Sequence, residues 1–183
     1  IAKECAVATR VVAVDLASPE GATQLVAAVE DLEIDVLVNN AGFGYAGRFE
    51  RRDEQRLLEM IQVHCTAPLV LTHRLLPKMR SRGRGAVVFT GSLAAKQPMP
   101  LHATYAATKA FVELLGEGLW AELRGSGVDV LVVEPGTTAT EFQEVAGEVP
   151  HEGETPEHVV EVALERLGDQ PSVAIGWWRW LRG

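Results

Sequence analysis

The sequence predicts an α/β fold, a doubly wound parallel sheet with helices on both faces, in one domain over residues 1–183. Three observations carry that reading. The strand candidates are continuous apolar runs, as strands covered on both faces are, and not alternating ones. Stretches with helical periodicity separate them. Polar and glycine-bearing motifs stand at the C-terminal ends of the runs, where sheets of this kind hold their ligands.

The elements follow in order. Val11–Val14 is the first apolar run and ends at Asp15. Ser18-Pro19-Glu20 reads as an N-cap, a first-turn proline and an acid that complements the helix dipole, opening a helix with Leu25, Val26, Val29 and Leu32 on one face. Asp35–Val38 is the second strand and runs into Asn39-Asn40-Ala41-Gly42. A long helical stretch over 53–79 carries Pro68, which should kink or split it. Ala86–Thr90 is the third strand, and a helix over 103–124 is stopped by Gly125-Ser126-Gly127. Val128–Val133 is the fourth strand. Thr155-Pro156-Glu157 opens a further helix to Leu167, and Ser172–Ile175 is the last strand.

Composition narrows the function classes. A net charge of -8 argues against nucleic-acid binding, which needs clustered cations to replace phosphate counterions. No apolar run is long enough to span a membrane. Two cysteines, Cys5 and Cys65, make neither a disulfide framework nor a metal-ligand spacing, so no metal is expected and a reducing, cytoplasmic setting is. The chain begins with Ile and is read as incomplete at its start.

Tyr105 and Lys109 stand four apart on a predicted helix, one turn apart on one face. A phenol titrates near pH ~10, too high for acid–base work at neutrality, and a neighbouring ammonium favours the phenolate. Ser92, on the loop after the third strand, is placed to donate to an oxygen on which charge develops. Alone, a Tyr and a Lys at this spacing are commonplace. Here they follow Asn39-Asn40-Ala41-Gly42 and a Ser thirteen residues before the Tyr, and precede Pro135-Gly136 with Thr140 beyond. That order of motifs resembles the short-chain dehydrogenase/reductase family in its compact branch, over roughly Val7 to Leu167.

The resemblance implies a Rossmann fold, a nicotinamide cofactor, and hydride transfer between that cofactor and a carbonyl or alcohol carbon. Tyr105 would be the acid/base, Ser92 would polarise the carbonyl, and Lys109 would tune Tyr105 and bind the nicotinamide ribose. Asp15 and Leu16 would border the adenine, while Asn39, Ala41 and Gly42 line the cleft. Pro135, Gly136, Thr138 and Thr140 would hold the nicotinamide end. In similar proteins the two long helices pair across a two-fold axis, which implies a homodimer or homotetramer.

Two departures stand out. No Gly-x-x-x-Gly-x-Gly run occurs, so the first strand–helix–strand unit, with its phosphate-binding amides, is not in this sequence and is expected elsewhere in the molecule. The residue that decides between NADP and NAD belongs to that unit; the choice is not readable, and NADP is kept as the working one. The second departure is His64, where the family usually has an Asn that supports a proton relay toward the Lys. His64 either replaces that amide in the relay or is a packed helix residue.

Phe43, Leu93, Met99 and Phe142 are the candidates for the substrate pocket, with Tyr45, Leu101 and Val145 nearby. Their character suggests a small or medium apolar ketone or alcohol. Residues 141–154 read as a lid or an inert loop, and Trp177, Trp178 and Trp180 as a packed chain end or a contact surface. Two rivals remain: a catalytically silent, cofactor-binding regulatory or scaffolding subunit, favoured by His64, and a nucleotide-sugar epimerase, for which the region after the fourth strand leaves little room.

Overall fold

The computed structural model describes residues 5–147 and 152–176. Four strands form one parallel sheet in the order β1-β2-β3-β4: β1 Val36–Asn39, β2 Gly85–Thr90, β3 Val128–Pro135 and β4 Ser172–Ile175. The helices are α1 Gly21–Ala28, α2 Glu54–Ile61, α3 Ala67–Arg82, α4 Ala103–Glu122, α5 Phe142–Ala146 and α6 Pro156–Arg166. Each helix between two of the strands returns the chain so that the next strand pairs in parallel, as the sheet requires.

The core lies on both sheet faces. Val87 and Phe89 of β2 and Val128, Val130 and Val132 of β3 pack against Met79 of α3 and Val112 and Leu123 around α4. On the opposite face Leu131, Val133 and Ile175 meet Val159, Val162 and Ala163 of α6. A smaller cluster joins Ala22 of α1 to Ala67 and Leu71 of α3. Beyond α6 no described residue covers the second face, and Val36 and Val38 of β1 are more than half exposed.

The first predicted strand does not form. Val11–Val14 is irregular, and Val11 is 92% exposed. An apolar run becomes a strand only beside another, because its amides and carbonyls need ladder partners; among the described residues β1 pairs with β2 alone. The segment is held instead by the Arg10–Asp31 fork, at 2.7 and 2.8 Å. The first helix also starts later than expected. Ser18 Oγ accepts the Glu20 amide inside a turn, and α1 begins at Gly21 with no side-chain cap.

Other boundaries track local chemistry. Thr155 Oγ1 accepts the His158 amide and Pro156 takes the first turn of α6, as its sequence predicts. The long helical stretch is split at Pro68, through a π turn over Gln62–Thr66. Proline has no N–H to offer the His64 carbonyl four residues back. The Ala67 amide reaches the Gln62 carbonyl five residues back, and helix then resumes in α3. Pro77 lies inside α3 without ending it. Gly125 and Gly127 both take positive φ after α4. The tail with Trp177, Trp178 and Trp180 lies outside the described residues; of the suggested lid, α5 and residues 152–154 are described.

Candidate active site

The strands deliver their C-terminal ends to one edge of the sheet. Thr90 closes β2, and its hydroxyl donates to Asn40 Oδ1 at 2.9 Å, tying the loop after β1 to the loop before Ser92. Gly91 donates its amide to the Val133 carbonyl at 2.7 Å. Ser92 then turns the chain into a short 3₁₀ turn, Leu93–Lys96, and its Oγ accepts the Ala94 amide at 3.2 Å. That bond uses a lone pair and leaves the hydroxyl proton for another acceptor.

Helix α4 supplies the second wall. Lys109 is buried, and its Nζ donates to the Thr90 carbonyl at 2.7 Å while lying 5.7 Å from the centre of the Tyr105 ring. Burial pushes the Lys109 ammonium down to about 8, with the Cys65 thiol pulling weakly the other way. The Tyr105 ring sits in an aromatic row: Phe43 to His64 at 5.7 Å, His64 to Tyr105 at 5.8 Å, and Tyr105 to Phe142 at 5.6 Å between ring centres. The guanidinium of Arg56 covers the far end of that row, 3.8 Å over Phe43.

His64 stands in the π turn and is buried. The Phe43 amide donates to its Nε2 at 2.9 Å, so that nitrogen carries no proton. Its Nδ1 lies 2.9 Å from Thr108 Oγ1, and the Thr108 hydroxyl donates to the Tyr105 carbonyl at 2.8 Å. Thr108 is therefore the acceptor, and Nδ1 carries the proton. Burial, with the Lys109 charge adding to it, pushes His64 down to about 3. The ring is neutral at working pH, and each nitrogen has a protein partner. Gly42 fits only because it lacks a Cβ, which would stand 2.9 Å from His64 Nε2.

The remaining candidates fall around this group. Asn39 donates through Nδ2 to Thr72 Oγ1 at 3.2 Å, and its Oδ1 is buried without a partner. Ala41 and Gly42 lie exposed on the loop after β1. Asp15 and Leu16 form a turn in which Asp15 Oδ1 accepts the Ala17 amide at 2.9 Å, and Leu16 packs toward Ala22 and Leu71. Gly136 continues β3 and donates to the Ile175 carbonyl, Thr138 bridges to Glu154, and Thr140 Oγ1 accepts the Phe142 amide. Phe142 faces Tyr105, Leu93 is buried under Gly136, and Met99 is half-buried in the loop before α4.

Sequence reasoning passed over Thr108, which orients His64, and Arg56, which covers Phe43. Thr108 had a readable signal, since it stands inside the Tyr-x-x-x-Lys segment beside Lys109. Arg56 had none: its meeting with Phe43 depends on how α2 folds back over the loop.

A sequence profile described as short chain dehydrogenase matches residues 1–149. The very-long-chain 3-oxoacyl-CoA reductase of Anas platyrhynchos is 31% identical over 189 residues, an alignment that takes in 97% of this chain and 60% of that protein. The chain thus spans less than two thirds of that relative. Among solved structures, a 7β-hydroxysteroid dehydrogenase superposes with a TM-score of 0.88 at 29% identity, over 99% of this chain and 72% of its own. A short-chain dehydrogenase from Sphingobium yanoikuyae in complex with NADPH gives 0.86 at 30% identity, over 100% and 75%.

Proposed function

The chain belongs to the short-chain dehydrogenase family, and we propose that it is an NAD(P)-dependent oxidoreductase interconverting an apolar ketone and its alcohol, with Tyr105 as acid/base. The observation that carries this is the buried Lys109 ammonium beside the Tyr105 ring, anchored on the strand that leads to Ser92. An ammonium so placed favours the phenolate over the phenol and brings proton transfer to and from a substrate oxygen toward neutral pH. Ser92 donates to that oxygen. His64 serves as a positioning residue, holding the Phe43 loop against the Tyr105 helix.

The residues present fit the two ends of a dinucleotide. Asn39 Oδ1, buried and unpartnered at the C-terminal end of β1, is an acceptor awaiting a donor. Asp15, Leu16, Asn39, Ala41 and Gly42 would hold the adenosine half; Lys109, Pro135, Gly136, Thr138 and Thr140 would hold the nicotinamide half. When bound, the nicotinamide supplies or accepts the hydride. A structure similar to this one carries NADPH, which supports NADP as the working choice.

Phe43, Met99 and Phe142 give the substrate side an apolar character, and the names of two similar proteins, an oxoacyl reductase and a hydroxysteroid dehydrogenase, point to oxygen on an apolar skeleton. The protein works as a homodimer or homotetramer through the exposed Leu69 of α3 and Phe111 and Leu114 of α4. It resides in the cytoplasm, where its free thiols Cys5 and Cys65 stay reduced. No helix among the described residues is long and apolar enough to cross a membrane.

The test is NADPH and NADH oxidation by the purified protein against a panel of apolar ketones and anionic keto acids, with Tyr105→Phe in parallel. Saturable turnover of apolar ketones, falling about 10²–10⁴-fold in Tyr105→Phe, is expected. Cofactor binding without turnover on any carbonyl would instead favour a silent subunit.

A further inference from the structure

Glu134 is the only carboxylate among the buried described residues, 2% exposed at the C-terminal end of β3. It follows Val128, Val130 and Val132 on the face that packs against α4, so a charge closes an otherwise apolar column. Lys96 answers it. The Lys96 Nζ lies 2.7 Å from Glu134 Oε1 and 2.5 Å from Glu113 Oε1. Lys96 ends the 3₁₀ turn that Ser92 opens, and Glu113 stands one helical turn beyond Lys109 on α4. Gly91 lies directly on this group, where a Cβ would meet Val132 at 2.9 Å and Glu134 at 3.4 Å.

One ammonium therefore joins three elements that furnish the site: the turn bearing Ser92, the helix bearing Tyr105 and Lys109, and the strand that ends in Pro135. Resting on the function proposed above, we propose that Glu134 and Glu113, acting through Lys96, are positioning residues that hold Ser92 in register with Tyr105.

The groups facing Glu134 are Lys96 from the turn and Glu113 from α4. Glu117, the next acid along α4, is engaged by the Ser172 hydroxyl at 2.7 Å. Burial pushes Glu134 up to about 7, with Lys96 opposing and Glu113 adding to the rise. Because its folded value lies above its unfolded one, the folded state holds a proton between about pH 4.5 and 7 that the unfolded chain has lost. The group thus stabilises the fold as pH falls toward 4.5, while the tie to Lys96 is at full charge only above pH 7. Stability and positioning then run in opposite directions, which separates this role from that of a simple structural ion pair.

The experiment uses Lys96→Met, Lys96→Arg and Glu134→Gln in the full chain, with amide hydrogen exchange over residues 92–97 as the readout independent of activity. Lys96→Met is expected to speed exchange in the turn about tenfold, the scale of one charge-assisted hydrogen bond, with β3 and α4 unchanged. Lys96→Arg should restore protection. Glu134→Gln should not lower the Tm at pH 8, yet it should reduce kcat and remove the limb near pH 7 from the rate profile, with KM for the cofactor unchanged. Unaltered exchange at 92–97 in Lys96→Met overturns the proposal, as does a Glu134→Gln variant that loses Tm at pH 8 and keeps the wild-type pH profile. If Lys96→Met does not fold, Glu134→Gln decides alone. Absence of turnover in the wild type would sink the oxidoreductase reading and leave the exchange result standing.

Discussion

Residues 5–16 and the β2–α4 half of the molecule use similar material and reach opposite states. Val11–Val14 and Val87–Phe89 are both short apolar runs, yet Val11 is 92% exposed while Val87 and Phe89 are 1% and 0% exposed. The second run has a strand on each side, β1 and β3, and helices α3 and α4 over it. Among the described residues the first has neither. Apolar composition supplies the tendency to be buried, and ladder partners decide whether burial happens.

Substitutions can break that comparison in order of size. Phe89→Ala should destabilise by about 3–5 kcal/mol in urea unfolding, because the ring is fully enclosed and its neighbours cannot collapse into the space. His64→Leu should cost about 1–3 kcal/mol for stranding the Phe43 amide, while the Thr108 hydroxyl loses a donor but keeps its bond to the Tyr105 carbonyl. Here pH sharpens the result. His64 has a folded value well below its unfolded 6.5, so the stability its neutral ring contributes is intact above pH 6.5 and lost as pH falls from there toward 3. The gap between wild type and His64→Leu should therefore narrow by up to about 1.4 kcal/mol per pH unit on acidification below 6.5. A gap that stays constant from pH 7 to 5 would mean the ring is not held neutral.

Lys109→Met should move stability less. Burial holds the ammonium at about 8, and the cost of enclosing its charge is fully present below pH 8 and relieved as pH rises toward 10.5. The variant is expected to be no less stable than wild type at pH 7 while losing turnover. A large drop in Tm would show that the bond to the Thr90 carbonyl outweighs the burial of charge. Smallest of all, Val11→Ser should stay within about 0.5 kcal/mol of wild type.

Much of this was legible in the sequence where the chemistry is local. Thr155-Pro156 starts a helix because a hydroxyl cap and a fixed φ act within one turn, and the four-residue spacing of Tyr105 and Lys109 puts both on one helix face whatever lies beyond. Strand identity at Val11–Val14 was not legible, since it depends on a neighbour that periodicity cannot see. His64 was found as a departure from a familiar pattern, but its tautomer depends on Thr108 and Phe43, which are brought to it from 44 and 21 residues away. Lys96, Glu113 and Glu134 were missed for the same reason: three unremarkable charges become one group only when the sheet and α4 close on each other.

The π turn over Gln62–Thr66 has a consequence for how length changes would act on this protein. Each residue in an α-helix advances the azimuth by about 100°, and a π turn absorbs one extra residue without disturbing the helix on either side. Removing one residue from that stretch would convert the π turn to an α turn and keep the phase of α2 relative to α3, at the cost of the bond that Pro68 cannot make. Arg56 would then stay over Phe43, while the residues within the turn would be reseated and His64 drawn off Thr108. The extra residue thus seats His64 and leaves the course of the helix unchanged, so a one-residue deletion there should read out on the site more than on the fold.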